Sequence, residues 1–185
     1  MIKTEETPTK PLNDYGITKL LGELYCRQIS KKMNYVILRL SNSYGPSLSD
    51  SGWNLVVNNL CKQCYKNKEI ILKSKGVQKG NFVSINDINQ AIHLILKEKP
   101  ERIKGEIFNV GGNDTISISE LANIVAQLYK EAYDKDAKII IPKDVENKPL
   151  IDFDYRFDKI KNIGYEPRFS LKKGIINIFK TLEND

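Results

Sequence analysis

Short apolar, β-branched runs alternate along this chain with longer stretches of helical period, and that alternation allows few architectures. Tyr35 to Leu40 reads as a buried strand, and Ile70 to Leu72, Phe82 to Ile85, Ile107 to Val110 and Lys138 to Ile141 read as further extended segments. Between them lie helical patterns. The first follows Pro11 and Asn13-Asp14 and runs to about Met33, with Ile17, Leu20, Leu21, Leu24 and Ile29 at helical spacing. Others span about Trp53 to Asn67, Asp87 to Lys97, and Ser117 to Tyr133; short ones lie near Asp158 to Asn162 and Leu171 to Leu182. Asn13 or Asp14 can cap the first, Asp87 and Gln90 have capping-box spacing, and Ser117-x-x-Glu120 is a capping box with Ile116 placed to staple onto Leu121. Strands alternating with helices predict an α/β protein.

At 185 residues the chain has room for one domain, or one domain and part of another. Its 41% apolar and 28% charged residues exclude a disordered or fibrous protein. Apolar runs fall short of the ~18 residues a membrane span needs, and the polar, acidic opening Met1 to Glu6 does not resemble a leader, so a cytoplasmic location is expected. The net charge is +6, densest from Lys62 to Lys79. That cluster reads first as a solvated helix face and second as a patch for a small anion. Tyr65 alone among its residues is aromatic, so it is no stacking platform for nucleic acid. Cys26, Cys61 and Cys64 cannot build a disulfide framework. Cys61-x-x-Cys64 lies inside a helix, and with His93 the sole histidine no zinc set or other metal site is expected.

The chemistry-bearing candidate is Tyr15-x-x-x-Lys19. Four residues apart on a helix, a phenol and an ammonium share one face. A neighbouring cation favours the phenolate, which could take a proton from a hydroxyl or return one to a carbonyl. The spacing alone carries little weight. With 9 tyrosines and abundant lysine it occurs again at Tyr155-x-x-x-Lys159.

Context separates the two. Asp14-Tyr15-Gly16-Ile17-Thr18-Lys19-Leu20-Leu21-Gly22-Glu23 is followed by Arg39-Leu40-Ser41-Asn42-Ser43-Tyr44-Gly45-Pro46. Then come Phe82 to Asp87, Phe108-Asn109-Val110-Gly111-Gly112, Glu120-Leu121-Ala122 and Ile163-Gly164-Tyr165-Glu166-Pro167. This ordered series resembles the extended short-chain dehydrogenase/reductase superfamily, in its NAD-dependent nucleotide-sugar epimerase/dehydratase branch, over essentially the whole chain. Glu6-Thr7-Pro8 and Pro11 resemble the segment preceding that family's tyrosine. The resemblance implies an α/β fold comprising the C-terminal part of a Rossmann (doubly wound parallel sheet) domain plus a small α/β substrate-binding lobe. Residues 1–48 would carry the tyrosine–lysine helix and the next strand, 49–80 a lobe segment, 81–115 the return to the Rossmann sheet, and 116–185 the C-terminal lobe. It also implies oxidation of a sugar hydroxyl with NAD or NADP, followed by epimerisation, dehydration or reduction. Tyr15 would be the acid/base, and Lys19 would support it and hold the nicotinamide ribose hydroxyls. Asn42 and Asn54 would contact the nucleotide-sugar substrate, against plainer readings as a loop-ordering residue and a helix cap. Tyr155 and Lys159 would fall on a surface helix.

The departures matter as much. The fingerprint GxxGxxG, whose glycines let backbone approach a pyrophosphate, does not occur in these residues. The family's catalytic Ser/Thr also has no counterpart, and on the order of 120 residues, about four βα units, would be needed to supply the rest. The chain is therefore expected to be a C-terminal portion, inactive unless an N-terminal half is supplied in trans, and a homodimer when complete. Gly80 and Asn81 stand where the family has an Arg-Asp pair, and a second phosphate-binding arginine expected near Asn147 to Leu150 is not evident. Lys79 and Lys148 could substitute only as point charges. The alternative is a non-catalytic binding or interaction module.

Overall fold

The computed structural model describes residues 2–47, 49–142 and 153–184. The chain opens with β1 (Ile2–Lys3) and an irregular segment leading to α1 (Asp14–Gln28), which tightens into a 3₁₀ turn over Ile29–Lys31. Asn13 is its cap, its side-chain oxygen accepting the Gly16 N–H at 2.9 Å. β2 (Ile37–Leu40) and β3 (Asn42–Tyr44) follow almost without a break, then a 3₁₀ turn over Asp50–Asn54 and α2 (Val56–Asn67). β4 (Glu69–Ile71) and β5 (Lys79–Ser84) lead to α3 (Ile85–Lys97) and the short α4 (Pro100–Ile103). Then come β6 (Ile107–Val110), β7 (Asp114–Ser117), α5 (Ile118–Tyr133) and β8 (Lys138–Ile140). β9 (Asp154–Tyr155), α6 (Asp158–Lys161) and α7 (Leu171–Glu183) complete it.

Parallel pairing dominates, as expected of strands joined through helices. β2 runs parallel to β6 with Ile37 opposite Ile107 and Leu40 opposite Val110, and β3 runs parallel to β5 with Asn42 opposite Phe82. One nearly continuous extended segment thus starts beside β6 and ends beside β5. β7 closes antiparallel on β5, and β4–β8 and β1–β9 are parallel pairs. The Ile37 N–H donates to Glu106 O and the Ser41 N–H to Val110 O. Alternation along the strand turns the N–H groups of Leu38 and Leu40 to the opposite edge of β2, where no described strand pairs.

Two apolar cores hold this framework. One gathers Val57 and Leu60 of α2, Leu121 and Val125 of α5, and Ile175 and Phe179 of α7 around Tyr44. The other packs Ile88 and Ala91 of α3 against Phe108 and Val110 of β6, with Phe157, Ile160 and Tyr165 from the later segment. Local signals set the helix ends. The Ser117/Glu120 capping box forms in both directions, and α2 and α5 end on left-handed residues, Lys68 (φ 56°) and Asp134 (φ 52°). Gly112 has to be glycine because a Cβ there would run into the Phe82 carbonyl of β5.

One capping expectation is corrected. Ser84, not Asp87, caps α3, its hydroxyl accepting the Asn86 N–H at 3.2 Å. Asp87 points elsewhere: its carboxylate accepts the N–H groups of Arg168 (2.8 Å) and Phe169 (3.3 Å), tying α3 to the segment before α7. Burial pushes its pKa above the usual carboxylate range, against the opposing pull of those two N–H donors. The reading of Tyr155 and Lys159 as neighbours on a surface helix is corrected too. Tyr155 lies on β9 with its hydroxyl donating to Arg39 O at 2.8 Å, and Lys159 lies on α6, paired with Glu106.

Candidate active site

Helix α1 carries the two candidate residues, and none of its residues is buried. Tyr15, one residue inside the helix, is 71% exposed. One turn on, the Lys19 ammonium lies over the Tyr15 ring, 5.1 Å from its centroid. A cation at that distance is attracted by the ring's negative face. Both residues open onto a cavity of about 470 Å³, which has Tyr15, Lys19 and Cys26 on the α1 wall and Ile37 to Leu40 of β2 opposite. The cavity therefore follows the edge of β2 that lacks a strand neighbour.

A bidentate ion pair joins its two walls. Arg39 of β2 donates through Nε to Glu23 Oε1 (2.8 Å) and through Nη2 to Oε2 (2.7 Å), with side chains 20% and 14% exposed. Its Nη1 donates to the Glu5 carbonyl at 2.9 Å, while the Glu5 carboxylate accepts the Asn109 N–H at 2.8 Å. The Glu23 hydrogen bonds hold the Arg39 guanidinium above its ordinary pKa despite partial burial. Burial pushes the Tyr155 phenol, beside this network, well above its ordinary value. The sequence marked Glu23 and Arg39 only as members of a resemblance. Their pairing across sixteen residues has no local signal.

The asparagines occupy separate surroundings. Asn42, exposed on β3, donates from Nδ2 to Asn81 O at 3.0 Å, and that amide lies where a Cβ on Gly80 would sit. Asn54 ends the 3₁₀ turn and lines a cavity of about 260 Å³ with Trp53, Asn59 and Lys62, whose ammonium lies 5.6 Å from the centroid of the Trp53 ring. Asn54 does not cap α2; Leu55 occupies that position with no side-chain bond. Tyr15 and Lys19 are thus brought to one groove, and Asn42 and Asn54 line neither wall of it.

Other polar residues act within the framework. Buried Asn58 grips the Gly45 peptide from both sides, accepting its N–H (3.3 Å) and donating to its carbonyl (2.7 Å), and so shapes the loop after β3. Asn81 accepts the Gly112 N–H and donates to the Gly112 carbonyl and Thr115 Oγ1. An asparagine at this position is therefore occupied in joining β5 to the turn before β7. The positive charge of Lys79 helps, after the Ser117 hydrogen bonds, to hold the Glu120 carboxylate low, whereas Lys148 and the stretch Asn147 to Leu150 lie outside the described residues. Burial drives the Cys61 and Cys64 thiols upward, Cys64 to about 12, so neither is a ready thiolate. Among the described residues no helix is long and apolar enough to cross a membrane.

A parallel α/β framework of Rossmann type, with a tyrosine–lysine pair on the helix leading into a buried-type strand, places the chain in the extended short-chain dehydrogenase/reductase superfamily. Within it, the family model described as "NAD dependent epimerase/dehydratase family" matches residues 2–111, and the chain belongs to that family. It is 31% identical over 184 residues to dTDP-L-rhamnose 4-epimerase of Burkholderia thailandensis, covering 94% of this chain and 47% of that one. It is 29% identical over 176 residues to dTDP-D-glucose 4,6-dehydratase of Bos taurus, covering 92% and 48%. Among solved structures, UDP-glucuronic acid 4-epimerase from Bacillus cereus, in complex with UDP-glucuronic acid and NAD, superposes with a TM-score of 0.81 at 26% identity. That match covers 100% of this chain and 57% of the other. The chain spans about half the length of the curated relatives it matches.

Proposed function

We propose that this chain carries the acid/base half of an NAD(P)-dependent nucleotide-sugar epimerase, dehydratase or reductase. The observation that carries this reading is the Lys19 ammonium over the Tyr15 ring, at a groove beside the open edge of a parallel strand. The Tyr15 oxygen takes the proton of a sugar hydroxyl and returns one to the carbonyl. Lys19 places a positive charge where a phenolate forms, and its N–H groups suit ribose hydroxyls. Asn42 contacts the substrate from β3, and Asn54 does so from the turn before α2. When bound, NAD or NADP supplies the hydride acceptor and donor.

The residues present fit only one end of that cofactor. An exposed phenol and an ammonium open onto the groove, suiting the nicotinamide ribose, while residues 1–185 contain no glycine fingerprint to cradle a pyrophosphate. In this reading the dinucleotide-binding half comes from outside these residues and docks along β2, and the complete enzyme is a homodimer. The test is reconstitution with the part of a family relative that this chain does not cover, assayed for turnover of dTDP- and UDP-sugars with NAD and NADP. Turnover in the mixture, absent from either part and lost in Tyr15→Phe by about 10²- to 10⁴-fold, is expected. A mixture in which the two parts bind each other and NAD but turn nothing over, or in which Tyr15→Phe is as active as wild type, overturns the reading.

The exposed apolar residues of α1, among them Leu21, Leu24 and Tyr25, favour one second reading, a non-catalytic module that binds a partner through this helix. It predicts that Tyr15→Phe keeps full partner affinity and that no combination of parts yields turnover.

A further inference from the structure

Helix α1 poses a problem that its own sequence creates. With no residue fully buried and only Leu20 and Cys26 among its apolar side chains partly covered, little apolar burial holds it to the sheet, and an isolated helix of this length is marginal in water. Among its described side-chain hydrogen bonds, the ones to another element are those between Glu23 and Arg39. Glu23 is therefore the anchor of the helix. It is also four residues from Lys19, the spacing at which a carboxylate and an ammonium meet on a helix surface. A half-shielded carboxylate there competes with the Tyr15 ring for the Lys19 ammonium, and partial burial strengthens its pull.

The structure resolves the competition in one direction. Both Glu23 oxygens are taken by the guanidinium fork, and Lys19 lies over the Tyr15 ring, although Lys19, Glu23 and Arg39 line a common cavity. We propose that Arg39 is a positioning residue: by occupying both oxygens of Glu23 it keeps that carboxylate from capturing Lys19, and so leaves the ammonium beside the Tyr15 phenol. This rests on the reading of Tyr15 and Lys19 as the acid/base pair, and the role it gives Arg39 is exercised through Glu23. Lysine at position 39 would supply the charge without the two-pronged grip.

The reporter is the Lys19 ε-methylene, which the Tyr15 ring current displaces upfield while the ammonium lies over the ring. It can be followed by proton–carbon NMR of the chain alone, with the resonance assigned by Lys19→Arg and its origin in the ring confirmed by Tyr15→Leu. Folding of each variant is checked by amide dispersion. In Arg39→Gln, Glu23 is released and the upfield displacement is expected to vanish. In Glu23→Gln and in the double variant Glu23→Gln/Arg39→Gln the competitor is gone, and the displacement is expected to stay. An anchoring role alone predicts the opposite for these two, because each loses the same ion pair. Persistence of the displacement in Arg39→Gln, or its loss in either variant lacking Glu23, overturns the proposal. Should Arg39→Gln fail to fold, Arg39→Met, which keeps the apolar stem on the strand, provides the same comparison. The readout needs no turnover, so a reconstituted mixture that proves inactive refutes the proposed function without touching this result.

Discussion

Tyr15 and Asp87 show how differently two polar side chains respond to substitution. Tyr15 is exposed, so Tyr15→Phe removes an oxygen from solvent and should leave the denaturation midpoint unchanged while removing reconstituted turnover. Asp87 is fully buried, and its carboxylate accepts two backbone N–H groups. Because its folded-state value is raised, the folded chain binds a proton more readily than the unfolded chain does. Its contribution to stability therefore falls as pH rises from the ordinary carboxylate range, ~3.9, through the raised value, and is level above it. Asp87→Asn removes this dependence and leaves an amide donor facing an N–H donor. In urea titrations across that range, the stability of wild type relative to Asp87→Asn is expected to decline with rising pH. A difference that grows instead would place the proton linkage elsewhere.

At the scale of elements, α1 and α5 are built on contrasting terms. The α5 cap is closed by its own residues, with Ser117 Oγ accepting the Glu120 N–H at 3.1 Å and the Glu120 carboxylate accepting the Ser117 N–H at 2.7 Å. Ser117→Ala is expected to cost about 1 kcal/mol, read from the shift in denaturation midpoint. The Ser117 N–H and the Ser117 hydroxyl, both donating to the carboxylate, hold Glu120 below the usual carboxylate range, so the support is present at neutral pH and is lost as acid protonates it. Helix α1 is weaker by composition. Gly22 sits in its interior, and a β-carbon added there would meet nothing within 4 Å, so the space is open. Gly22→Ala should therefore stabilise the helix by about 1 kcal/mol, seen as slower amide exchange over residues 14–28. Faster exchange would reveal a contact at Gly22 that the geometry lacks.

For the whole molecule, the governing feature is a strand of buried type with one edge unpaired. Tyr35 to Leu40 has apolar side chains on both faces, the pattern of an interior parallel strand, yet Leu38 and Leu40 turn their N–H groups to an edge with no described neighbour. Such an edge invites pairing with another chain. The isolated chain should associate as its concentration rises, and Leu40→Lys should shift sedimentation toward the smaller species without changing the helical circular dichroism. Equal association in both would move the interface away from β2. The cores divide the molecule differently from the order of the chain. Residues 157 to 165 pack with α3 and β6, whereas 171 to 182 pack with α2 and α5.

How much of this was legible in the sequence depends on the range over which each signal acts. The Ser117-x-x-Glu120 cap, the α/β alternation, the parallel-type run at 35–40 and the Tyr15–Lys19 face are local patterns, set by hydrogen bonds within four residues or by helix and strand period. Each can be read without knowing what lies across the molecule. The ion pair of Arg39 with Glu23, the grip of Asn58 on Gly45 and the turning of Asp87 from a cap to the segment before α7 join residues far apart in the chain. Propensity cannot see them, because a carboxylate at Asp87 suits a helix start and a distant N–H pair equally well. Burial decided between those uses, since two unpaired backbone donors beside α7 would cost more than an alternative cap that Ser84 already provides. Residue order was enough to put Tyr15 and Lys19 on one face of one helix. Which charge faces which emerged only once the chain had folded, because electrostatic competition is settled by distance and shielding rather than by position along the chain.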